Sequence, residues 1–227
     1  DADGDGKPEV VYYNGWRGDE HIVSPKEKIE ADEFTKFEGS NAKALGIENM
    51  AEACVQGRGV LVDLEKRHGR DRVLVGYEEL MRILEEDNIE IEQGDMACFH
   101  TGFAQGLMDM NKNPNEHDLH NTFACLDGRD EKLQDWIRDS GIAVIIADNY
   151  GIEDVSSPLP TGTNPIAMLP LHELCIFKLG IHIGEMFYLT PLRDWLRKNK
   201  RNRFLLTAPP LRLPGAVGSP PSPIATV

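Results

Sequence analysis

The sequence holds no run of 18 apolar residues, so it offers no membrane-spanning helix. It has only four cysteines, Cys54, Cys98, Cys125 and Cys175, and no CxxC pair. That spacing argues against a disulfide framework and predicts buried free thiols in a reducing, cytoplasmic compartment. Positive charge is scarce: 24 Lys and Arg stand against 38 Asp and Glu, a formal net charge of -14. A surface so acidic repels phosphates, which excludes nucleic acid and anionic membranes as partners. No GxGxxG or GxxxxGK[ST] phosphate loop is present, and no GxSxG nucleophile elbow. His172-Glu173 begins like the HExxH zinc helix, but Ile176 stands where the second His is required.

The remaining composition is that of a globular protein. The 227 residues are 41% hydrophobic and 27% charged, enough to bury a sizeable core. Residues 1–40 are polar and irregular, and we expect a long loop region there. The chain opens on DADGDGKPEV without an initiator Met, so we expect it to be N-terminally incomplete. DADGDG matches the first half of an EF-hand loop through Asp1, Asp3, Asp5 and Gly6, which makes a calcium-binding module one alternative function. Position 12 of that loop should be Glu and is Tyr12.

From residue 41 the pattern alternates between helix and strand. Helical spacing runs over 41–57, with Gly57 as the expected end. Further helices are expected in VGYEELMRILEEDN, RDEKLQDWIRDSG, LPLHELCIFKLG and TPLRDWLRKNK, the last with Thr190 as N-cap. Short apolar runs predict strands at 59–64, 96–103 and 142–149, within IHIGEMFYL, and in FLLTAPPLRL. This alternation predicts an α/β fold with a mixed sheet and flanking helices.

Several polar residues stand where chemistry is expected. His172 lies near the start of a helix, and Glu185 lies 13 residues later on the following strand. A short helix, a reversal at Gly180 and a strand could bring the two together as half of a metal site. Alternation puts Glu185 on the face of Ile181 and Ile183, where a carboxylate needs a cation, and turns His182 the other way. Asp148 and Asn149 follow an apolar run, and His100, Thr101 and Phe103 close another. Ends of strands in α/β sheets are where sites gather, so His100, Phe103 and Asp148 are expected to bind substrate.

Five segments together resemble one family. They are QGRGVLVDL, QGDMACFHTGF, LDGRDEKLQDWIRDSGIAVIIADNYGIE, PLHELCIFKLGIHIGEMFYL and FLLTAPPLRLPGAVGSPPSPIATV, with YYNG near the start. In this order they resemble the cyclase family, which includes bacterial kynurenine formamidase and isatin hydrolase. The resemblance implies one cyclase-like domain over 1–227 with a swivelling β/β/α fold. It also implies a divalent metal, zinc or manganese, a small-molecule substrate, and a homo-oligomer, dimer or tetramer. The family's second metal half-site maps onto His172 and Glu185. Its first half, a motif of the form His-x-Gly-Thr-His-x-Asp-x-Pro-x-His, has no counterpart in residues 1–227. The general base belongs to that motif, and His21, the nearest substitute in sequence, is a poor match. The implied activity is metal-assisted cleavage of an amide or cyclic amide C–N bond. The alternative is a family member that binds without catalysing.

Overall fold

The computed structural model describes residues 6, 8–12, 15–18, 20–22, 42–155, 157 and 166–227. Asp1, Asp3 and Asp5 of the DADGDG stretch, and Tyr13 and Asn14 of YYNG, lie outside them. The chain divides into two compact units. The first comprises Asp1–Gln56 and Thr207–Ile224. In it, helix α1 (Ile47–Ala53) is tied to the later segment through backbone bonds from Ala42 to Gly215 (3.0 Å) and from Ile47 to Ala216 (2.7 Å).

The second unit, Gly57–Leu206 and Ala225–Val227, carries the sheet. Its strands are β1 (Gln56–Asp63), β3 (Met96–His100), β5 (Val144–Ala147), β6 (His182–Gly184), β7 (Arg203–Thr207) and β8 (Ile224–Thr226). They form one mixed sheet in the order β6-β5-β3-β1-β7-β8. A two-stranded piece pairs β2 (Leu74–Val75) with β4 (Cys125–Leu126). β1, β3, β5 and β6 run parallel to one another, with Asp63 opposite His100 and Phe99 opposite Ala147. Every residue of β3 and β5 is buried, as parallel strands covered on both faces require.

The helices cover this sheet for reasons visible in their sequences. Helix α2 (Leu64–His68) follows β1 directly, with the Asp63 side chain capping its start. In α3 (Tyr77–Glu86), Leu80 and Ile83 recur on one face and are fully buried, opposite a glutamate face. In α6 (Glu131–Ser140), Leu133 and Ile137 do the same. Asp130 caps α6 by accepting from the Lys132 and Leu133 amides. These side chains join Val62, Phe99, Ile145 and Leu171 in one apolar core. Between β3 and β4 the chain folds into two short helices, α4 (Phe103–Asp109) and α5 (Glu116–Asn121).

Four local expectations are corrected. Gly57 is no helix end: α1 stops at Ala53, Cys54 turns the chain at φ 62°, and Gly57 lies within β1. Cys54 is exposed, whereas the other three thiols are buried; all four are free. Thr190 does not cap α8 (Thr190–Asn199). Leu189 holds that position, and the buried Thr190 hydroxyl faces His100 instead. The helix around His172 is one α-turn, α7 (Pro170–His172), followed by a π-helix over Glu173–Leu179 that Gly180 closes at φ 70°. Such wide turns are uncommon and concentrate at functional sites. Among the described residues, no helix is long and apolar enough to cross a membrane.

Candidate metal centre

Parallel pairing sets the carboxyl ends of β1, β3, β5 and β6 side by side. Asp63, His100, Asp148 and Glu185 therefore gather along one edge of the sheet, where open α/β sheets build their sites. The residues after β6 run alongside those after β5: Met186 donates its amide to Asn149 O (3.0 Å) and Phe187 donates to Ala147 O (3.2 Å). Glu185 thus lies just beyond β6, not on the strand face of Ile181 and Ile183 that alternation suggested. His182 is exposed.

Two clusters form at this edge. In the first, the His172 imidazole lies between two carboxylates. Its Nε2 is 3.2 Å from Glu185 Oε1, and its Nδ1 is 2.9 Å from Glu153 Oε1. Glu185 also accepts the Gly151 amide at 2.9 Å. Glu153 is buried at 1% exposure and accepts the amides of Leu171 (2.9 Å) and His172 (3.0 Å). Hydrogen bonds to Glu153 and then to Glu185 outweigh burial and raise the His172 pKa to about 9. At neutral pH a proton therefore sits on each ring nitrogen. Sequence reasoning missed Glu153. Its sequence signals were its place five residues past Asp148 and at the end of a segment that carries the family resemblance.

The second cluster holds His100 and Asp148. His100 is fully buried, with Nδ1 3.2 Å from Asp63 Oδ1 and Nε2 3.3 Å from Thr190 Oγ1. Asp148, also fully buried, accepts from the Thr101 amide (2.6 Å), the Thr101 hydroxyl (2.8 Å) and the Gly102 amide (2.9 Å). Burial, opposed by His100 and these bonds, leaves the Asp148 carboxyl above the ordinary range. Phe103, the first residue of α4, is 4% exposed and packs edge-on against Phe123 and Tyr150. The Tyr150 hydroxyl meets His120 Nδ1 at 2.5 Å. The three residues expected to bind substrate are therefore all buried. His21, in the first unit, accepts the Arg17 amide at 3.0 Å and packs on Trp16.

Donor atoms of Asp63, Glu65 and His100 lie within 4.8 Å of one another, close enough to hold an ion. Charge decides against that use. Asp63 binds Arg197 at 2.5 Å and Glu65 is paired with Arg193, so each carboxylate already faces a guanidinium. A dication there would stand against both guanidinium groups, with Asp148, 3.8 Å from His100 Nε2, as the one further carboxylate described beside it. At His172, no Lys or Arg pairs with Glu153 or Glu185 among the described residues, and two carboxylates face one imidazole. Glu153 and Glu185 lie on opposite ring nitrogens, so of these three side chains His172 Nε2 and Glu185 are the pair that converges.

The Asp63 carboxyl has a pH signature. Burial pushes it up, but hydrogen bonds from His100 and Arg197 outweigh burial and hold it below the ordinary carboxylate range. Its stabilising contribution is therefore complete above the ordinary carboxylate pKa and is lost as pH falls through the lowered value. Asp63→Asn should unfold at lower urea concentration at pH 7, by on the order of 1–3 kcal/mol. The gap to the unsubstituted protein should close in acid; a gap that stays constant down to pH 3 would contradict this.

A cyclase family model matches residues 21–154. The chain belongs to the cyclase family. The matched stretch ends just past Glu153, so His172 and Glu185 lie beyond it. A solved structure described as a novel cyclase shares 28% identity with this family member at a TM-score of 0.74, covering 98% of this chain and 65% of that one. Isatin hydrolase A from Ralstonia solanacearum shares 14% identity at a TM-score of 0.53, covering 79% of this chain and 63% of that one. Isatin hydrolase A from Labrenzia aggregata, solved with benzyl benzoate, shares 14% at 0.55, covering 80% and 65%. Likeness to the two hydrolases at such identity is a likeness of fold. The chain spans less than two thirds of the length of each of these relatives. No curated protein matches it.

Proposed function

We propose that this cyclase is a metal-dependent hydrolase that cleaves an amide or cyclic amide C–N bond, with His172 and Glu185 as two ligands of a divalent zinc or manganese ion. The observation that carries this is the convergence of His172 Nε2 on Glu185 at 3.2 Å, with Nδ1 already committed to buried Glu153. The fold shared with isatin hydrolases favours a ring amide or an arylformamide as substrate class. A divalent metal bound there supplies a Lewis acid and a water of lowered pKa.

The remaining work falls to side chains. Glu153 orients the imidazole and the Gly151 amide orients Glu185. Phe103 is buried and backs the half-buried ring of Tyr150. Asp148 and His100 hold the β3–α4 turn from which Phe103 projects. We assign no general base within residues 1–227.

The test is metal content and hydrolysis together. Chelated protein should bind one zinc or manganese ion per chain by calorimetry. The loaded protein should then hydrolyse an N-formyl arylamine or isatin. A protein that takes up neither ion would sink this reading. It would favour a second one, a family member that binds without catalysing.

A further inference from the structure

We propose that Glu153 is a positioning residue: its buried carboxylate holds His172 by Nδ1, so that the face of the ring turned to Glu185 is always Nε2. The proposal rests on the reading of His172 and Glu185 as ligands, and its test separates the two.

Glu153 is fixed from both ends. Its backbone continues the β4 ladder: the Leu126 amide donates to Ile152 O (3.0 Å) and the Asp154 amide to Leu126 O (3.2 Å). Its side chain accepts three bonds from two consecutive residues, Leu171 and His172. The Pro170–His172 turn is thereby fastened to the strand layer at the residue that matters. Room for the carboxylate comes from Gly128, where a Cβ would overlap Glu153 Oε2.

Backbone conformation supplies independent support. Gly151 adopts φ 83° and Ile152 adopts φ 56°. A β-branched residue in the left-handed region is an outlier that costs on the order of 1–3 kcal/mol. This turn presents the Gly151 amide to Glu185 and, two residues later, the Glu153 carboxylate to His172. One three-residue strip thus orients both ligand candidates. Met186, next to Glu185, is also left-handed at φ 58°. A second carboxylate at Nδ1 also fits the chemistry. It favours the N–H at that nitrogen and makes Nε2 the position where a cation replaces a proton.

The experiment compares the full chain with Glu153→Gln, Gly128→Ala and His172→Ala, using zinc alone as the probe. Two readouts are taken: zinc affinity by calorimetry, and the ring-nitrogen NMR signals of His172 with and without zinc. The expected result is a 10–100-fold loss of zinc affinity in Glu153→Gln. The Nδ1–H signal seen in the unsubstituted protein should also be lost. Should Glu153→Gln fail to fold, Gly128→Ala displaces the same carboxylate without removing its charge and should show the same two changes. Unchanged affinity and a retained Nδ1–H in a folded Glu153 or Gly128 variant overturn the positioning role, even if His172→Ala abolishes binding. If the unsubstituted protein binds no zinc, or His172→Ala binds as well as it does, the ligand reading fails. The metal-free Nδ1–H signal then decides the positioning role alone: lost in the variant it stands, kept it falls.

Discussion

His172→Ala should lower zinc or manganese affinity by more than about 100-fold, beyond the 10–100-fold expected for an outer-shell partner. Among the described residues the imidazole is the only side-chain nitrogen between Glu153 and Glu185, and the two carboxylates left behind cannot replace its bond to the ion. Folding stability should fall as well, because the buried Glu153 carboxylate loses the imidazolium it pairs with and keeps only its two backbone donors, so affinity is read on protein shown to be folded. Binding should also release a proton below about pH 9, since the ion displaces the one held on Nε2. Calorimetry in two buffers of different ionisation enthalpy measures that release. Equal heats in both buffers, or an affinity unmoved by His172→Ala, would count against His172 as a ligand.

Asp148→Ala should be the most destabilising single substitution at the strand ends, by roughly 3–5 kcal/mol. The carboxylate is fully buried and satisfies the Thr101 amide, the Thr101 hydroxyl and the Gly102 amide. Alanine leaves three donors without water or protein to bond, and opens a cavity against His100. Asp148→Asn keeps the shape and one acceptor and should lose less. Urea denaturation of the three proteins at pH 7 measures the order. A loss under about 1 kcal/mol for alanine would mean that the turn finds other partners, and that the β3–α4 connection does not depend on this side chain.

The fold was legible where side chains repeat with a clear period. Leu80 with Ile83 and Leu133 with Ile137 mark helices because one face of each must leave water. VIIA and MACFH mark buried strands because both faces are covered. The same logic failed at short elements. α5 has six residues and no buried one, so periodicity had nothing to register. The π-helix after His172 keeps an apolar helical sequence and differs only in winding, which tertiary contacts select. Thr190 reads as an N-cap from its type, yet burial beside His100 drew its hydroxyl elsewhere.

By itself, then, the sequence determined the α/β class, the order of its main elements, and the likeness to the cyclase family. Each depends on local pattern or on motif order. Only the tertiary structure decided which polar groups meet. Parallel pairing brought Asp63 against His100 across 37 residues, and α8 set two arginines against Asp63 and Glu65. The crossing of segments 150–154 and 170–172 put Glu153 behind His172, a contact between residues 19 apart with no shared motif. Local sequence carries no information about such pairs. They arise because buried carboxylates must find donors, and the packed sheet leaves only particular donors within reach.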